Sequence, residues 1–552
     1  AKQHGFSDQQ LALLRNTTED NIRAVRIRKG IIPWVKRIDT MAGEFPAKTN
    51  YLYFTYLGTS HDRIPPPSRK RIAVLGAGPY AIGTSVEFDW CAVNTLISLR
   101  QQAYETIMVN CNPETVSTDY DYSDVLYFEE LTLERVVDIY DFEHAPFVCS
   151  VGGQIPNNLS PGLAARRIPI LGTQPQDIAR AEDRQTFSAL LDRMRIAQPR
   201  WKSVTNAAQA LKEARRLGYP VMIRPSFVLS GKAMKVVGTK EELRAYLVYQ
   251  ADVSRTHPMV MTEYLTSTRE CDVDGVANRG RLVATAVSEH VEPAGIHSGD
   301  STLQLPSVSI DQLTTKRMAR ITQNIVKSLH IHGPFNIQYL INNDAVFVIE
   351  CNLRASRSMP FVSKTRGVNF IELATNIVLN MPIRVPAPSE QTYIGVKVPQ
   401  FSFQKVRGAD PILEVEMRST GEVASFGMNP YEAYFKAILA TGVSSPTKKA
   451  VLVSLGGSRN KLNFLYGCQK MFVTGFDLYA TEGTALFLHE NGITCNRIGK
   501  VSDHKPNVMD LFEQKIIDFA VVVPREGRLG TVNGHRIESE GYRMRRAATD
   551  AG

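Results

Sequence analysis

Polar side chains interrupt an otherwise apolar stretch of the chain, residues 336–358. They are Gln338, Glu350, Asn352, Arg354 and Arg357. An unpaired charge in a buried strand costs several kcal/mol, so side chains of this kind are expected to have a ligand or a partner. A carboxylate with two amide oxygens is a ligand set suited to Mg²⁺ (or Mn²⁺) that bridges nucleotide phosphates. Arginines beside such an ion can hold an anion and neutralise charge during phosphoryl transfer.

A hairpin would bring these side chains together. If its turn is centred on Asp344, Gln338 lies directly opposite Glu350 on the neighbouring strand. Side chains alternate along a strand, so Glu350 and Asn352 share one face, and Arg354 joins them if the strand continues. One alternative stays open, in which Glu350 forms a buried ion pair with one of the arginines and only stabilises the turn.

Two glycine-containing stretches are candidates for a nucleotide site. Residues 221–234 (VMIRPSFVLSGKAM) form a strand followed by a turn of small residues, where backbone N–H groups and Lys232 could close over phosphates; a plain hairpin also fits. Residues 75–85 (LGAGPYAIGTS) miss the GxGxxG spacing, and Thr84 stands where a P-loop requires lysine. The nucleotide site is therefore expected among hairpins rather than at a glycine-rich strand-to-helix turn.

The surrounding elements predict parallel strands first and mixed structure later. RIAVLGAGPY (71–80), ETIMVNCNPE (105–114) and APFVCSVGGQ (145–154) are each a β-rich run that stops in a polar loop, with helical patterns between them. Residues 205–220 predict a helix capped by threonine and ended by glycine and proline. From residue 449 onward, strands and helices alternate again, which predicts a second, small α/β unit.

Composition excludes several classes of protein. A chain of 552 residues with 43% hydrophobic content is too long for one core and predicts several domains. The sequence has no apolar run long enough to span a membrane. Its seven cysteines are scattered without a metal or disulfide spacing, which favours a reducing, cytoplasmic location. The net charge of +9 comes from dispersed Lys and Arg, so no nucleic-acid partner is predicted.

Several motifs together resemble one family. VNCNPETVSTDYD, VGGQIPNNL, RAEDR, RPSFVLSGKAM, EPAGIHSGDS and IECNLRASRSMPFVSKTRGV resemble the large synthetase component of carbamoyl phosphate synthetase, and more narrowly its carbamate-phosphorylating half in eukaryotic multifunctional enzymes. The resemblance implies an α/β protein with four parts. They are the end of a helical oligomerisation domain (1–66), a parallel α/β pre-ATP-grasp domain (67–183), an ATP-grasp domain (184–443) and a methylglyoxal-synthase-like regulatory domain (444–552).

The resemblance also implies roles for the residues at matching positions, with ATP and Mg²⁺ (or Mn²⁺) as cofactors. Arg184 and Arg224 would contact the ATP phosphates. The full set of implied ATP-binding residues is Arg184, Arg224, Glu263, Leu265, Glu270, Gly295, Ile296, His297, Ser298, Gln338 and Glu350. Gln338, Glu350 and Asn352 fall on the metal ligands, which are the residues that the hairpin geometry groups. Arg354 and Arg357, with Glu350, are the implied catalytic residues.

Regulation and partners are implied in the same way. The effector-phosphate positions are Lys461, Thr481, Thr484 and Lys500, and Lys500 favours a uridine nucleotide. Val522 or Val523 stands where relatives often carry Asn. The implied partners are a glutaminase, the bicarbonate-phosphorylating half and a second copy in a homo-oligomer. The chain is expected to be one stretch of a longer polypeptide, with its regulatory domain incomplete at the C-terminus. The alternatives are a catalytically silent nucleotide-binding module and another ATP-grasp carboxylate ligase.

Overall fold

The chain begins with two helices and two strands, which lie at one side of a larger sheet. The computed structural model describes residues 1–67, 70–82, 86–225, 234–249, 259–266, 268–385, 392–406, 408–524, 531–532, 535–536 and 539–551. Helices α1 (Asp8–Leu14) and α2 (Glu19–Arg28) confirm the helices predicted here. Strands β1 (Trp34–Arg37) and β2 (Tyr51–Thr55) correct the prediction of a helical domain over residues 1–66, which had no strands. Strand β2 buries alternate residues and extends the sheet that follows, which a short aromatic run does not reveal.

A seven-stranded sheet in the order β1-β2-β5-β4-β3-β6-β7 organises the first part of the chain. All of its neighbouring strands are parallel except β1 and β2. Its other elements are β3 (Arg71–Leu75), α3 (Val86–Gln101), β4 (Glu105–Asn110), β5 (Val125–Phe128), α4 (Leu133–Glu143), β6 (Phe147–Val148), α5 (Gln154–Ala165), β7 (Ile170–Leu171) and α6 (Pro175–Glu182). The three predicted polar-ended strands are β4, β3 and β6, which lie side by side. Their loops therefore meet at one edge of the sheet, where α/β folds place ligands.

A glycine brings two of those loops into contact. A Cβ atom on Gly152 would lie 2.3 Å from the carbonyl oxygen of Gly76, so no larger residue fits between the loops that follow β3 and β6. Helix α5 begins two residues later, at Gln154. This packing sets the Gln154 side chain at the carboxyl-end edge of the parallel sheet.

A four-stranded antiparallel sheet in the order β10-β9-β11-β8 comes next. Its elements are α7 (Arg184–Arg193), β8 (Trp201–Val204), α8 (Ala207–Leu217), β9 (Val221–Pro225), β10 (Lys235–Val237), α9 (Lys240–Tyr249) and β11 (Met259–Glu263). Helix α8 confirms the predicted helix and its end at Gly218. Its cap is Asn206, whose side chain accepts a hydrogen bond from the N–H of Gln209, and not the predicted threonine. Asparagine and threonine are both good caps, so sequence alone left the start uncertain by one residue.

A second seven-stranded sheet, in the order β16-β15-β12-β13-β14-β17-β18, carries most of the site. Its elements are β12 (Arg269–Asn278), β13 (Arg281–His290), β14 (Leu303–Leu305), α10 (Gln312–Ser328), β15 (Gly333–Asn342), β16 (Ala345–Asn352), α11 (Met359–Arg366), α12 (Phe370–Val378), β17 (Ile394–Gln400), β18 (Gly421–Gly427) and α13 (Pro430–Ala440). Short 3₁₀ turns occur at Lys2–His4, Val116–Thr118 and Ser298–Asp300.

The two faces of this sheet differ in polarity because side chains alternate along each strand. On one face, Val273 and Ile337 pack in a buried apolar cluster with α10. On the other face, Asp272 pairs across the strands with Gln338, and Asp274 pairs with Asn336. Gln338, Glu350 and Asn352, noticed in the sequence, thus belong to the polar face of this sheet.

The chain divides into two compact units. Unit 1 comprises 1–399 and 415–437, and unit 2 comprises 400–414 and 438–552. In unit 2, a parallel sheet in the order β21-β20-β19-β22 confirms the predicted small α/β unit. Its elements are β19 (Ala450–Leu455), α14 (Ser458–Val473), β20 (Asp477–Thr481), α15 (Glu482–Glu490), β21 (Asn496–Ile498), α16 (Val508–Glu513), β22 (Phe519–Val523), β23 (Thr531–Val532), β24 (His535–Arg536) and α17 (Glu540–Asp550). The domain boundaries given above stay predictions.

Buried ion pairs fix helices within each unit. In unit 1, Arg26 of α2 donates to Asp8 at 2.7 Å and to Asp138 of α4 at 2.9 Å. In unit 2, Arg545 of α17 donates to both carboxylate oxygens of Asp410, each at 2.9 Å. Two-pronged pairs of this kind hold the orientation of a helix as well as its position. Among the described residues, no helix is long and apolar enough to cross a membrane.

Candidate active site

The β15–β16 hairpin places Gln338 opposite Glu350, as predicted, but by a different route. Its turn is Asn343 and Asp344, with Asn343 at a φ of +51°, so Asn342 pairs with Ala345 and the turn is not centred on Asp344. The register then shifts between Gln338 and Tyr339, because one residue of β16 has no partner. This β-bulge offsets the different turn and restores the predicted pair.

Glu350 lies at the centre of the hairpin's polar face. The Asn352 amide nitrogen donates to Oε1 of Glu350 at 3.1 Å, and an Arg184 guanidinium nitrogen lies 3.5 Å from Oε2. Burial would raise the pKa of Glu350, but the charges of Arg184 and Arg224 and the Asn352 hydrogen bond together hold it below its usual value. The carboxylate is therefore ionised at neutral pH. Its ion-pair partner among the described residues is Arg184, which removes the alternative of a turn-stabilising pair with Arg354 or Arg357.

Arg184 and Arg224 place two positive charges on one side of the cavity. Burial, followed by repulsion from Arg184, lowers the pKa of Arg224 to about 10, and Glu350 opposes this effect. The Arg224 guanidinium therefore stays charged at neutral pH. Two cations facing one carboxylate leave an excess of positive charge, which suits a polyphosphate. Lys232, predicted to close over the same phosphates, lies outside the described residues.

Arg354 and Arg357 lie on the loop that follows β16. Two guanidinium nitrogens of Arg354 donate to Oε1 of Gln154, at 3.2 and 3.1 Å, so the first residue of α5 orients this arginine. The Arg354 guanidinium also lies 5.7 Å from the centre of the Phe88 ring. Arg357 contacts the sulfur of Met417. Burial lowers the pKa of both arginines, so each is a poorly hydrated cation that an anionic ligand would stabilise.

The loop after β11 and the loop between β13 and β14 also line the cavity. The Tyr264 hydroxyl donates to the carbonyl of Ala294 at 3.0 Å. A Cβ atom on Gly295, whose φ is +102°, would lie 2.2 Å from that hydroxyl, so glycine is required there. The carboxylate of Glu263 accepts from the Arg200 backbone N–H at 2.7 Å and from its guanidinium at 2.6 Å. This side chain is therefore already paired.

His297 is a neutral hydrogen-bonding group. Burial, followed by the charge of Arg357, lowers the pKa of His297 to about 3. Nδ1 accepts a hydrogen bond from the N–H of Gly299 at 3.0 Å. The proton of the neutral ring is therefore on Nε2, which can donate to an acceptor in the cavity.

All the residues implied for ATP, metal and catalysis line one cavity. They are Arg184, Arg224, Glu263, Leu265, Glu270, Gly295, Ile296, His297, Ser298, Gln338, Glu350, Asn352, Arg354 and Arg357. The structure therefore brings together side chains that are far apart in the sequence. Their individual roles stay predictions.

The cavity also has walls that the sequence reading missed. Gln154, Asp272, Asn336 and Lys397 are examples. Lys397 is only 2% exposed, and its ammonium nitrogen lies 3.6 Å from Glu422 and 3.4 Å from the carbonyl oxygen of Gly299. Lys397 interrupts the apolar strand IGVKVPQ in the same way as Gln338 interrupts β15. Polar residues in apolar strands therefore indicate both positions.

Comparison with known proteins then gives the family. Residues 68–180 match the model of the carbamoyl phosphate synthase preATP-grasp domain, and residues 183–385 match that of the carbamoyl-phosphate synthase L chain, ATP binding domain. Together these two matches cover more than half of the chain. The chain belongs to the carbamoyl-phosphate synthase large-chain family. Residues 464–552 match an MGS-like domain, in agreement with the predicted regulatory fold.

Relatives of this family match the whole chain. It is 48% identical to the multifunctional protein pyrABCN of Emericella nidulans and 47% identical to the multifunctional protein URA2 of Saccharomyces cerevisiae. It is 45% identical to the mitochondrial carbamoyl-phosphate synthase [ammonia] of Mus musculus. Each match covers 100% of this chain but only 24%, 25% and 37% of the respective relative. The chain thus spans between about a quarter and a little over a third of the length of these relatives.

Solved structures show the ATP-grasp fold. A biotin carboxylase–beta-gamma-ATP complex from Campylobacter jejuni aligns with a TM-score of 0.52 at 14% identity, covering 66% of this chain and 89% of that one. The purK N5-carboxyaminoimidazole ribonucleotide synthetase, in an ADP complex, aligns with a TM-score of 0.52 at 12% identity, covering 69% and 97%. At such identities the likeness concerns the fold alone. The predicted fold class is confirmed.

The predicted effector residues lie around one end of the parallel sheet in unit 2. Lys461 of α14 contacts the carbonyl of Gly483, and Thr481 lies at the start of α15. Thr484 is only 1% exposed, and its hydroxyl hydrogen-bonds to the backbone of Leu455. Lys500 is exposed beyond β21. An effector contact for these residues stays a prediction, and Thr484 contributes to the scaffold in any case.

A change at Glu270 should alter the pH dependence of folding. Burial raises the pKa of Glu270 to about 7 from an ordinary value of 4.5. Between these pH values the folded state keeps a proton that the unfolded state has released, so stability falls as the pH rises. We expect ligand-free Glu270→Gln to be more stable than the wild type at pH 8 by about 1 to 3 kcal/mol. Calorimetry at pH 5.5 and pH 8 measures the effect.

The matched control for this experiment is Glu241→Gln, because Glu241 is exposed on α9. It should keep the wild-type difference in Tm between the two pH values. A Glu270→Gln protein with the same pH dependence as the wild type would contradict the assigned ionisation.

Proposed function

We propose that the protein transfers the γ-phosphoryl group of ATP to carbamate, forming carbamoyl phosphate and ADP. One observation carries the proposal: a single cavity joins an oxygen ligand set around Glu350 to two separate pairs of partly buried arginines. One pair suits a polyphosphate and the other suits a small anionic acceptor. Membership of the large-chain family supports carbamate as that acceptor.

The nucleotide would lie between the small antiparallel sheet and the polar face of the large one. Arg184 and Arg224 would hold its phosphates. The adenosine would be enclosed by Glu263, Leu265 and Glu270 and by the loop of Gly295, Ile296, His297 and Ser298, all of which line the cavity. Because His297 is neutral, it would donate a hydrogen bond without adding charge.

Gln338, Glu350 and Asn352 fit the needs of a hard divalent cation. Each can present one side-chain oxygen, and Glu350 is ionised because neighbouring arginines hold its pKa low. One carboxylate suits Mg²⁺ (or Mn²⁺), which is usually held by one or two carboxylates together with substrate phosphates. When bound, the cation would neutralise charge on those phosphates.

Arg354 and Arg357 would hold the carbamate in line with the γ-phosphorus. A carbamate oxygen forms the new O–P bond as the bond from the γ-phosphorus to the β,γ-bridging oxygen breaks, and the electron pair leaves with ADP. No protein nucleophile is required, so catalysis rests on positioning and on charge stabilisation. The low solvent exposure of the loop that carries the arginines limits competing attack by water.

We further propose the arrangement implied by the relatives. The protein would act with a glutaminase and a bicarbonate-phosphorylating half, as a cytoplasmic homo-oligomer in pyrimidine synthesis. A uridine nucleotide would be its effector, with the phosphate near Lys461, Thr481, Thr484 and Lys500. The multifunctional names of two relatives support the presence of further domains. The Lys461 ammonium beside the first turn of α15 supports an anion site there.

The reverse reaction tests the proposal. The purified protein is supplied with carbamoyl phosphate, ADP and Mg²⁺, and ATP formation is measured with and without UTP, UDP and acetylglutamate. We expect ATP to form and UTP to change the rate. A protein that binds nucleotides but makes no ATP would instead be a silent regulatory module. ATP formation with another acyl phosphate, and none with carbamoyl phosphate, would indicate a different ATP-grasp ligase.

A further inference from the structure

A fully buried carboxylate, Asp274, lies behind the cavity on the polar face of β12. Its side chain is 0% exposed and does not itself line the cavity. Oδ1 accepts hydrogen bonds from the Asn336 amide at 2.9 Å and from the Ser356 hydroxyl at 2.5 Å. Oδ2 accepts from the Ser358 hydroxyl at 2.6 Å. A buried carboxylate is costly, and these charge-assisted hydrogen bonds offset part of that cost.

The two serines stand on either side of one arginine. Ser356 and Ser358 precede and follow Arg357, and their hydroxyl oxygens lie 3.0 Å apart. Both are thus tied to the same carboxylate. The chain between them is clamped at two points, which restricts the directions in which the Arg357 side chain can extend.

A second anchor holds the start of the same loop. The N–H of Ala355 donates to the carbonyl oxygen of Ser150 at 2.7 Å, and Ser150 belongs to the loop that follows β6 in the parallel sheet. The Arg354 side chain is held by Gln154, the first residue of helix α5, which follows that loop. Arg354 is therefore held from the parallel-sheet part of the chain, whereas the serines that flank Arg357 are held by Asp274 on β12 of the second seven-stranded sheet.

We infer that Asp274 is a positioning residue for phosphoryl transfer, acting through Ser356 and Ser358 to aim Arg357 at the acceptor. This inference rests on the proposed function. A carboxylate suits the task better than an amide because both of its oxygens accept, whereas the side chain introduced by Asp274→Asn would turn an NH₂ group toward one of the serine hydroxyls. The same contacts also stabilise the fold, so the test must separate orientation of Arg357 from stability.

The test is a double-mutant cycle in the reverse reaction. The variants are Asp274→Asn, Ser358→Ala and Arg357→Met, alone and in pairs with Arg357→Met. We expect Asp274→Asn and Ser358→Ala each to lower kcat by about 10- to 100-fold, since small displacements of a reacting group cost that much, with the KM for ADP changed less than about twofold. In the Arg357→Met background neither change should lower kcat further.

Two further variants guard against a folding defect. Ser288→Ala is the matched control, because Ser288 is a buried serine on β13 whose hydroxyl has no hydrogen-bond partner among the described residues. It should keep the wild-type kcat. If Asp274→Asn does not fold, Ser358→Ala and Ser356→Ala, which each remove one hydroxyl, carry the same test.

The outcomes separate the inference from the function on which it rests. Folded Asp274→Asn and Ser358→Ala proteins with the wild-type kcat would overturn the inference and leave the function intact. So would equal losses of kcat with and without Arg357. A wild-type protein that forms no ATP from carbamoyl phosphate would overturn the proposed function, and the inference with it.

Discussion

We expect Glu350→Ala to abolish the formation of ATP from carbamoyl phosphate and ADP, with a fall in kcat of at least about 10²- to 10³-fold, the loss typical when a pre-organised electrostatic group is removed. In the proposed site Glu350 would supply the charged oxygen for the cation, and Arg184 and Arg224 hold its pKa low. Its removal would leave the amides of Gln338 and Asn352 as the oxygen ligands beside the phosphates. Initial rates at saturating ADP and several Mg²⁺ concentrations measure the effect.

Two further variants serve as a control and as a test of the charge alone. Glu372→Ala changes an exposed glutamate on α12 and should keep the wild-type rate. Glu350→Gln keeps the size of the side chain and the hydrogen bond from Asn352 but removes the charge, so it should lose most of the activity as well. A Glu350→Ala protein with a near-normal rate would remove this residue from the proposed chemistry.

We expect Arg357→Met to lower kcat by about 10²- to 10³-fold while the KM for ADP changes little, because the proposal places this cation on the transferring group. Methionine keeps much of the apolar stem and removes the guanidinium group, including the nitrogen that contacts the Met417 sulfur. The loss should therefore appear in the chemical step rather than in nucleotide binding. Rates measured over a matrix of ADP and carbamoyl phosphate concentrations separate the two effects.

Arg320→Met is the matched control, because Arg320 is exposed on α10. Arg357→Lys should recover only part of the activity, because an ammonium group lacks the planar, two-pronged geometry of guanidinium. A higher KM for ADP with an unchanged kcat would place Arg357 on the nucleotide instead of the acceptor.

Sequence reading located the centre of the site because that centre is local in the chain. Gln338, Glu350 and Asn352 lie on adjacent strands of one hairpin, so alternation and pairing suffice to group them. The parallel strands β3, β4 and β6 were also predictable, since each is a β-rich run that ends in a polar loop. The predicted alternation of strands and helices after residue 449 rests on the same local patterns.

The rest of the site depends on contacts between distant segments. Gln154 reaches Arg354 across 200 residues of sequence, and Asp274 reaches Ser356 across 82. No periodicity links such positions. Strands β1 and β2 were missed for a similar reason, because their partners decide whether such short segments pair or stay loops. The bulge in β16 was missed because a single unpaired residue leaves no mark in composition.

The bulge in β16 lets one strand present an apolar and a charged side chain to the same cavity. In a regular strand, successive side chains point to opposite faces, so an apolar residue next to Glu350 would turn away from it. At the irregularity, Ile349 and Glu350 both border the cavity. The hydrophobic side chain of Ile349 and the carboxylate of Glu350 are thus consecutive in the sequence and border the same cavity. Together they can contact the planar apolar part and the ionic part of one ligand. Deleting the unpaired residue would restore regular alternation, so that only one of two consecutive side chains would border the cavity.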